Sequence, residues 1–140
     1  MRINRNNRIK EDELAVDESI FATQNRYLGV RGNFEEGTPF DHSIRGTYIN
    51  GFYDESQLEY GEKAYGFPET TETIVNLPDA QTIQFYVDNK PLNLEHATLI
   101  DLKRSYHLDQ GYTLRKVIYE THNQKQFELT FKRMAHLLAP

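Results

Sequence analysis

The 140-residue chain contains no cysteine and no tryptophan. The first absence excludes disulfide frameworks, thiolate metal sites and a cysteine nucleophile together, and it suits a reducing, cytoplasmic location. The second leaves 9 tyrosines and 8 phenylalanines to supply the aromatic volume of the core. No apolar run follows the basic residues Arg2, Arg5, Arg8 and Lys10, so they do not front a signal peptide and read as a solvated arm. No window approaches the ~20 apolar residues that span a bilayer. Clustered basic charge is scarce in the middle of the chain: residues 11–79 hold 15 acidic and 4 basic side chains, and residues 80–140 hold 6 acidic and 8 basic. A net charge of −5 with an acidic middle argues against a phosphate-backbone partner, because nucleic-acid binding draws on clustered Lys and Arg.

What is present describes one soluble domain. The hydrophobic fraction is 38% and the charged fraction 26%, and a chain of this length buries roughly two-thirds of its unfolded surface. Residues 1–18 are polar, with only Leu14 and Val16 to bury, and read as a segment leading into a domain that occupies 19–140. Residues 25–34 alternate short apolar pieces with Gly and Asn, a strand–turn–strand pattern. Seven of the eight glycines lie between Gly29 and Gly66 among Tyr48, Phe52, Tyr53, Tyr60 and Tyr65, a mixture suited to shaped loops.

The second half alternates with period two. Ile83, Phe85 and Val87 share a face in residues 81–87, and Asp88-Asn89-Lys90-Pro91 supplies a turn. Ile100, Leu102, Tyr106 and Leu108 repeat the pattern, broken on that face only by Arg104. Residues 112–121 are rich in β-formers, and Phe127, Leu129 and Phe131 alternate with polar residues. Four strands joined by short turns, with no clear 3.6-residue periodicity, predict an all-β fold: an antiparallel meander packed as a β-sandwich against the N-terminal half.

Candidates for chemistry are few. His42, His96, His107, His122 and His136 are scattered without metal-ligand spacing, and no metal site is expected. Asp54, Glu55, Glu59 and Glu62 cluster around Tyr53 and Tyr60, but a glycosidase pair needs a fixed separation and one raised pKa, so a solvated acidic loop is the expectation. Gly29 and Gly32 lack the third glycine and the helix of a dinucleotide fingerprint, and no Gly-x-Ser-x-Gly elbow occurs.

Longer ordered motifs carry a resemblance. The stretch from Glu18 to Gly37 (Glu-Ser-Ile-Phe-Ala-Thr-Gln-Asn-Arg-Tyr-Leu-Gly-Val-Arg-Gly-Asn-Phe-Glu-Glu-Gly), then Gly46-Thr47-Tyr48-Ile49-Asn50-Gly51-Phe52-Tyr53, Tyr60-Gly61-Glu62-Lys63-Ala64-Tyr65-Gly66-Phe67-Pro68, Asn76-Leu77-Pro78-Asp79-Ala80 and Leu108-Asp109-Gln110-Gly111 resemble the start of family 65 glycoside hydrolases. That family includes maltose, trehalose, kojibiose and nigerose phosphorylases. One departure is Gln24-Asn25-Arg26, where the family reads Gly-Asn-Gly. If either lost glycine needs a positive φ, each substitution costs about 1 kcal/mol or more.

The resemblance implies part of a galactose-mutarotase-like super-sandwich, followed in complete members by an (α/α)6 barrel that holds the catalytic acid and the phosphate-binding groups. It therefore implies a non-catalytic, incomplete N-terminal domain with no cofactor, whose parent uses inorganic phosphate as co-substrate if it is a phosphorylase. The expected partner is the missing barrel, with Tyr53, Tyr60, Tyr65 and Phe67 as candidate residues for contacting it, shaping its active-site mouth or joining subunits. Two other readings stand beside it: a stand-alone sugar-binding module whose aromatic rings stack on glucosides, and a homo-oligomer formed through strand edges left uncovered.

Overall fold

The computed structural model describes residues 1–6, 9–41, 43–62 and 64–136. Its elements in chain order are β1 (Arg2–Asn6), α1 (Glu11–Ile20), β2 (Thr23–Gln24), β3 (Leu28–Val30), β4 (Thr47–Ile49), β5 (Tyr53–Gln57), β6 (Thr70–Ile74), β7 (Tyr86–Val87), β8 (Lys90–Pro91), β9 (Thr98–His107), β10 (Tyr112–Glu120) and β11 (Gln126–Met134). All sheet pairings are antiparallel, as the alternation predicts. A four-stranded sheet runs in the order β1-β9-β10-β11, a three-stranded sheet in the order β2-β3-β4, and β5-β6 and β7-β8 are hairpins.

The meander β9-β10-β11 is the scaffold. Gly111 takes a positive φ in the first turn and Gln124 in the second, conformations that reverse the chain between long strands. One face of this sheet buries Leu102, Val117 and Tyr119 against Phe34 and Leu92. Phe127, Leu129 and Phe131 pack at the rim of the same cluster, with Phe131 edge-on to Phe85 at 5.9 Å between ring centroids. Phe34 is thus the contribution of the N-terminal half to the expected second layer. A register shift beside Ile118 and Tyr119 places Leu99, not Ile100, opposite Tyr119. This irregularity explains why Ile100, which the alternation assigns to the core face, is exposed.

Two sequence expectations give way here. The expected strand at 81–87 is formed only at Tyr86–Val87, where a tight turn with positive φ at Asp88 and Asn89 pairs it to β8. Residues 2–6 are not a solvated arm but the edge strand of the main sheet, from Arg2 opposite His107 to Asn6 opposite Lys103.

Residues 11–20 form a helix that the polar composition concealed. Its inward positions are Leu14, Asp17 and Glu18, spaced three and four apart, and two of the three are carboxylates. A hydrophobic periodicity cannot appear when acids occupy the buried stripe. Glu11, Asp12 and Glu13 complement the N-terminal end of the helix dipole.

The turn at Gln24-Asn25-Arg26 forms without strain. Neither Gln24 nor Arg26 has a positive φ, and the Asn25 carboxamide oxygen accepts hydrogen bonds from the backbone N–H groups of Tyr27 and Leu28 at 2.7 and 2.6 Å. The asparagine side chain closes the turn, so the missing glycines carry no left-handed penalty.

Candidate functional site

Among the described residues, two regions gather polar and aromatic side chains. The first lies beneath the main sheet. Arg115, on the buried face of β10 between Thr113 and Val117, donates from Nη1 to Glu36 Oε1 and from Nη2 to Glu35 Oε2, both at 2.7 Å. It also pairs with Glu36 Oε2. Tyr119, two positions beyond Val117 on the same face, donates its hydroxyl to Glu36 Oε1 at 2.7 Å. Arg133 of β11 pairs with Glu35 and donates to the carbonyls of Arg31 and Asn33 at 2.8 and 2.9 Å.

A second part of the network ties in the helix. Arg104 of β9 pairs with Asp17, whose other oxygen lies 3.4 Å from Arg5 Nε. Glu18, fully buried, takes Arg31 at 3.2 Å and the Ser43 hydroxyl. The rings of Phe21 and Phe34 flank the Arg104 guanidinium at 4.9 and 5.3 Å, and those of Phe34 and Phe131 flank Arg115 at 4.3 and 4.2 Å.

The electrostatics are those of a fixed structure. Burial disfavours the Arg115 charge, but the hydrogen bonds and charge of Glu36, then Glu35, outweigh it and hold its pKa above the ordinary value. Burial pulls Arg104 below its ordinary value, with Asp17 opposing. Burial, reinforced by the Glu36 carboxylate, raises the Tyr119 phenol far above the usual range, so it stays protonated as a donor. The cavity beside these groups, bordered by Arg104, Arg115 and Arg133, measures about 20 Å³. That is room for one water molecule and not for a sugar. The network holds the segment Asn33–Glu36 against the sheet.

The second region is the hairpin β5-β6 and its tip. All ten strand residues are exposed, on both faces, so the hairpin stands out from the body. Its base is held by hydrogen bonds from the N–H of Val75 to the Phe52 carbonyl and of Leu77 to the Thr47 carbonyl. At the tip, the N–H of Leu58 bonds the Glu69 carbonyl at 2.9 Å, and Gly66 turns the chain with a φ of 89°. Tyr60 and Phe67 meet with ring centroids 5.0 Å apart, and Tyr65 is completely exposed.

These rings border an open concavity of about 460 Å³ with Gln57 and Glu69 on its wall. Of the four candidate residues, the fold therefore gathers Tyr60, Tyr65 and Phe67. Tyr53 sits apart on β5, opposite Ile74.

The remaining candidates carry no constellation. Asp54, Glu55, Glu59 and Glu62 are all exposed, and Glu55 faces Glu72 across the hairpin, so none has the enclosure a catalytic acid needs. His107 stacks on Tyr112 at 4.4 Å, His96 lies 3.0 Å from the Asn93 carboxamide oxygen, and His122 is exposed in a turn. His136 accepts, at its carbonyl, a bond from Asn25. His42 lies outside the described residues. Among the described residues no three His, Asp or Glu side chains are grouped to hold a metal ion. Among them, too, no helix is long and apolar enough to cross a membrane. Gly32 serves packing: a Cβ there would come within 2.7–2.8 Å of Phe21 Cβ, C and O.

Comparison with known proteins places this geometry. The family described as glycosyl hydrolase family 65, N-terminal domain, matches residues 5–140. An α,α-trehalose phosphorylase from Geobacillus stearothermophilus is 41% identical over 136 residues, covering 94% of this chain and 18% of that protein. A maltose phosphorylase from Bacillus subtilis is 30% identical over 112 residues, covering 80% of this chain and 15% of that protein. A solved human-microbiome protein, provisionally named a kojibiose phosphorylase, superposes with a TM-score of 0.81 at 30% identity, over 95% of this chain and 17% of its own. The chain thus spans less than a fifth of the length of these relatives.

Proposed function

The chain belongs to glycosyl hydrolase family 65 as its N-terminal domain, and from that premise we propose that it is a non-catalytic part of a longer enzyme acting on α-glucosidic disaccharides by attack of phosphate or water. Its work is mechanical: it packs against the catalytic domain and shapes the mouth of that domain's active site. The observation that carries this reading is the β5-β6 arm. Both of its faces are open, and it presents Phe52, Tyr53, Tyr65 and Phe67 at 49–107% exposure. Rigid aromatic side chains with two rotatable bonds are the groups that concentrate binding energy at interfaces. The cavity beneath the main sheet, at about 20 Å³, is too small for a saccharide.

The test is to exchange this segment for the matching one in the full-length Geobacillus relative, then introduce Tyr60→Ala, Tyr65→Ala and Phe67→Ala together. Docking through the arm predicts a lower Tm and a several-fold loss of kcat. Unchanged values for both would refute it.

A second reading is favoured by the concavity at the tip. Tyr60, Tyr65 and Phe67 border a space of the size small ligands occupy, and the rings could stack on a glucosyl face. Calorimetric titration of the chain with maltose, trehalose and glucose would give saturable heat on this reading and flat traces otherwise.

A further inference from the structure

Charge does not balance inside the network beneath the main sheet. Arg31 is matched by Glu18, and Arg115 and Arg133 are matched by Glu35 and Glu36. Among the described residues, Arg104 and Arg5 share the single carboxylate of Asp17. One positive charge is left over, where β1 and β9 meet the helix. Arg5 is half-exposed, so water and salt screen it. Arg104 is only 5% exposed and lacks that screening.

The unmatched charge coincides with unmatched donors. A guanidinium offers N–H donors in a planar fork and no acceptor. Arg104 Nη2 pairs with Asp17, but Nε and Nη1, both buried, find no acceptor among the described residues. The flanking rings of Phe21 and Phe34 offer none. Burial, with the charges of Arg115 and Arg5, disfavours the Arg104 cation, and Asp17 opposes. The small cavity that Arg104 borders is walled by two further arginines, Arg115 and Arg133.

We propose that this cavity binds a monovalent anion of halide size, held by Arg104 Nε and Nη1, and that the ion fastens the helix side of the network to the sheet. The site is separate from the aromatic arm and does not depend on the docking role given to it. A space of about 20 Å³ admits a particle of roughly water's size and excludes phosphate, sulfate and carboxylates. Water would satisfy the Arg104 donors, and the Asn33 carboxamide oxygen on the same wall, itself without a donor, would suit it. Charge decides between the two. Water leaves the extra cation buried and uncompensated, whereas an anion neutralises it, and buried charges persist where they are paired.

Thermal unfolding of the 140-residue chain tests this, at constant sodium concentration, as chloride replaces gluconate, an anion too large for the cavity. The proposal predicts a Tm that rises by roughly 2–5 °C and then saturates, because only the folded state holds the ion. Arg5→Gln, at a half-exposed position, removes the extra charge and leaves both Arg104 donors in place. It should raise the chloride concentration at half-saturation roughly fivefold or more. Crystals grown in sodium bromide locate the site, with an anomalous peak expected within hydrogen-bond reach of Arg104 Nε or Nη1. No peak there, whether or not bromide binds elsewhere, would overturn the proposal. So would equal Tm in the two salts, a rise that stays linear in chloride as a bulk salt effect does, or a half-saturation point unmoved by Arg5→Gln.

Discussion

The sheet underside and the β5-β6 arm solve opposite problems with the same residue types. Beneath the sheet, Phe34 and Phe131 enclose the Arg115 guanidinium, and Tyr119 donates its hydroxyl to Glu36, so aromatics and charges satisfy one another inside the chain. In the arm, Tyr65 and Phe67 face outward and the acids Glu55 and Glu72 oppose each other across a hairpin. A pair of like charges directly across two strands destabilises them by a few tenths of a kcal/mol or more. The first region therefore fixes a structure, and the second, exposed on both faces, is the one we propose to dock the rest of the enzyme.

The sharpest way to break that contrast is Arg115→Leu. It leaves the Glu35 and Glu36 carboxylates buried without their shared partner, and losses of about 3–5 kcal/mol follow when one side of a buried ion pair is removed. Urea unfolding should show this. A loss of under ~1 kcal/mol would mean that the network adds little to stability. Next comes Gly32→Ala, whose new methyl meets the Phe21 backbone. It should lower stability by roughly 1–3 kcal/mol in the same measurement.

Tyr119→Phe sharpens the comparison by pH. At neutral pH it should cost about 1 kcal/mol, the net worth of one hydrogen bond. The folded Tyr119 pKa is raised above its unfolded value. Its contribution is therefore fully present below about pH 10 and falls as pH rises further, by at most ~1.4 kcal/mol per unit. The gap between wild type and Tyr119→Phe should shrink above that pH. A gap that grows with alkalinity would reverse the assigned sign.

How much of this was legible depended on where polarity sits. β9, β10 and β11 follow from alternation, because their apolar residues face the core and their polar ones face water. Arg104 was visible as the one break in an apolar face, and that break marked the buried network without naming its partner. Asp17 lies 87 residues away along the chain, on a helix whose buried stripe is acidic. Arg115, Glu35 and Glu36 were hidden by the same rule, since long-range ion pairing leaves no periodicity. The aromatic tip was legible as a density of Tyr and Phe among glycines. Only the fold could separate Tyr53 from the other three.

Amide hydrogen exchange over β5 and β6 tests most directly whether the arm is built for a partner. It should be measured in the isolated chain and again with this segment joined to the rest of the full-length relative. The account predicts fast exchange in the isolated hairpin, whose two faces are open to water, and marked protection in the long enzyme, with the β9-β10-β11 amides slow in both. Equal exchange of the arm in the two proteins would contradict it.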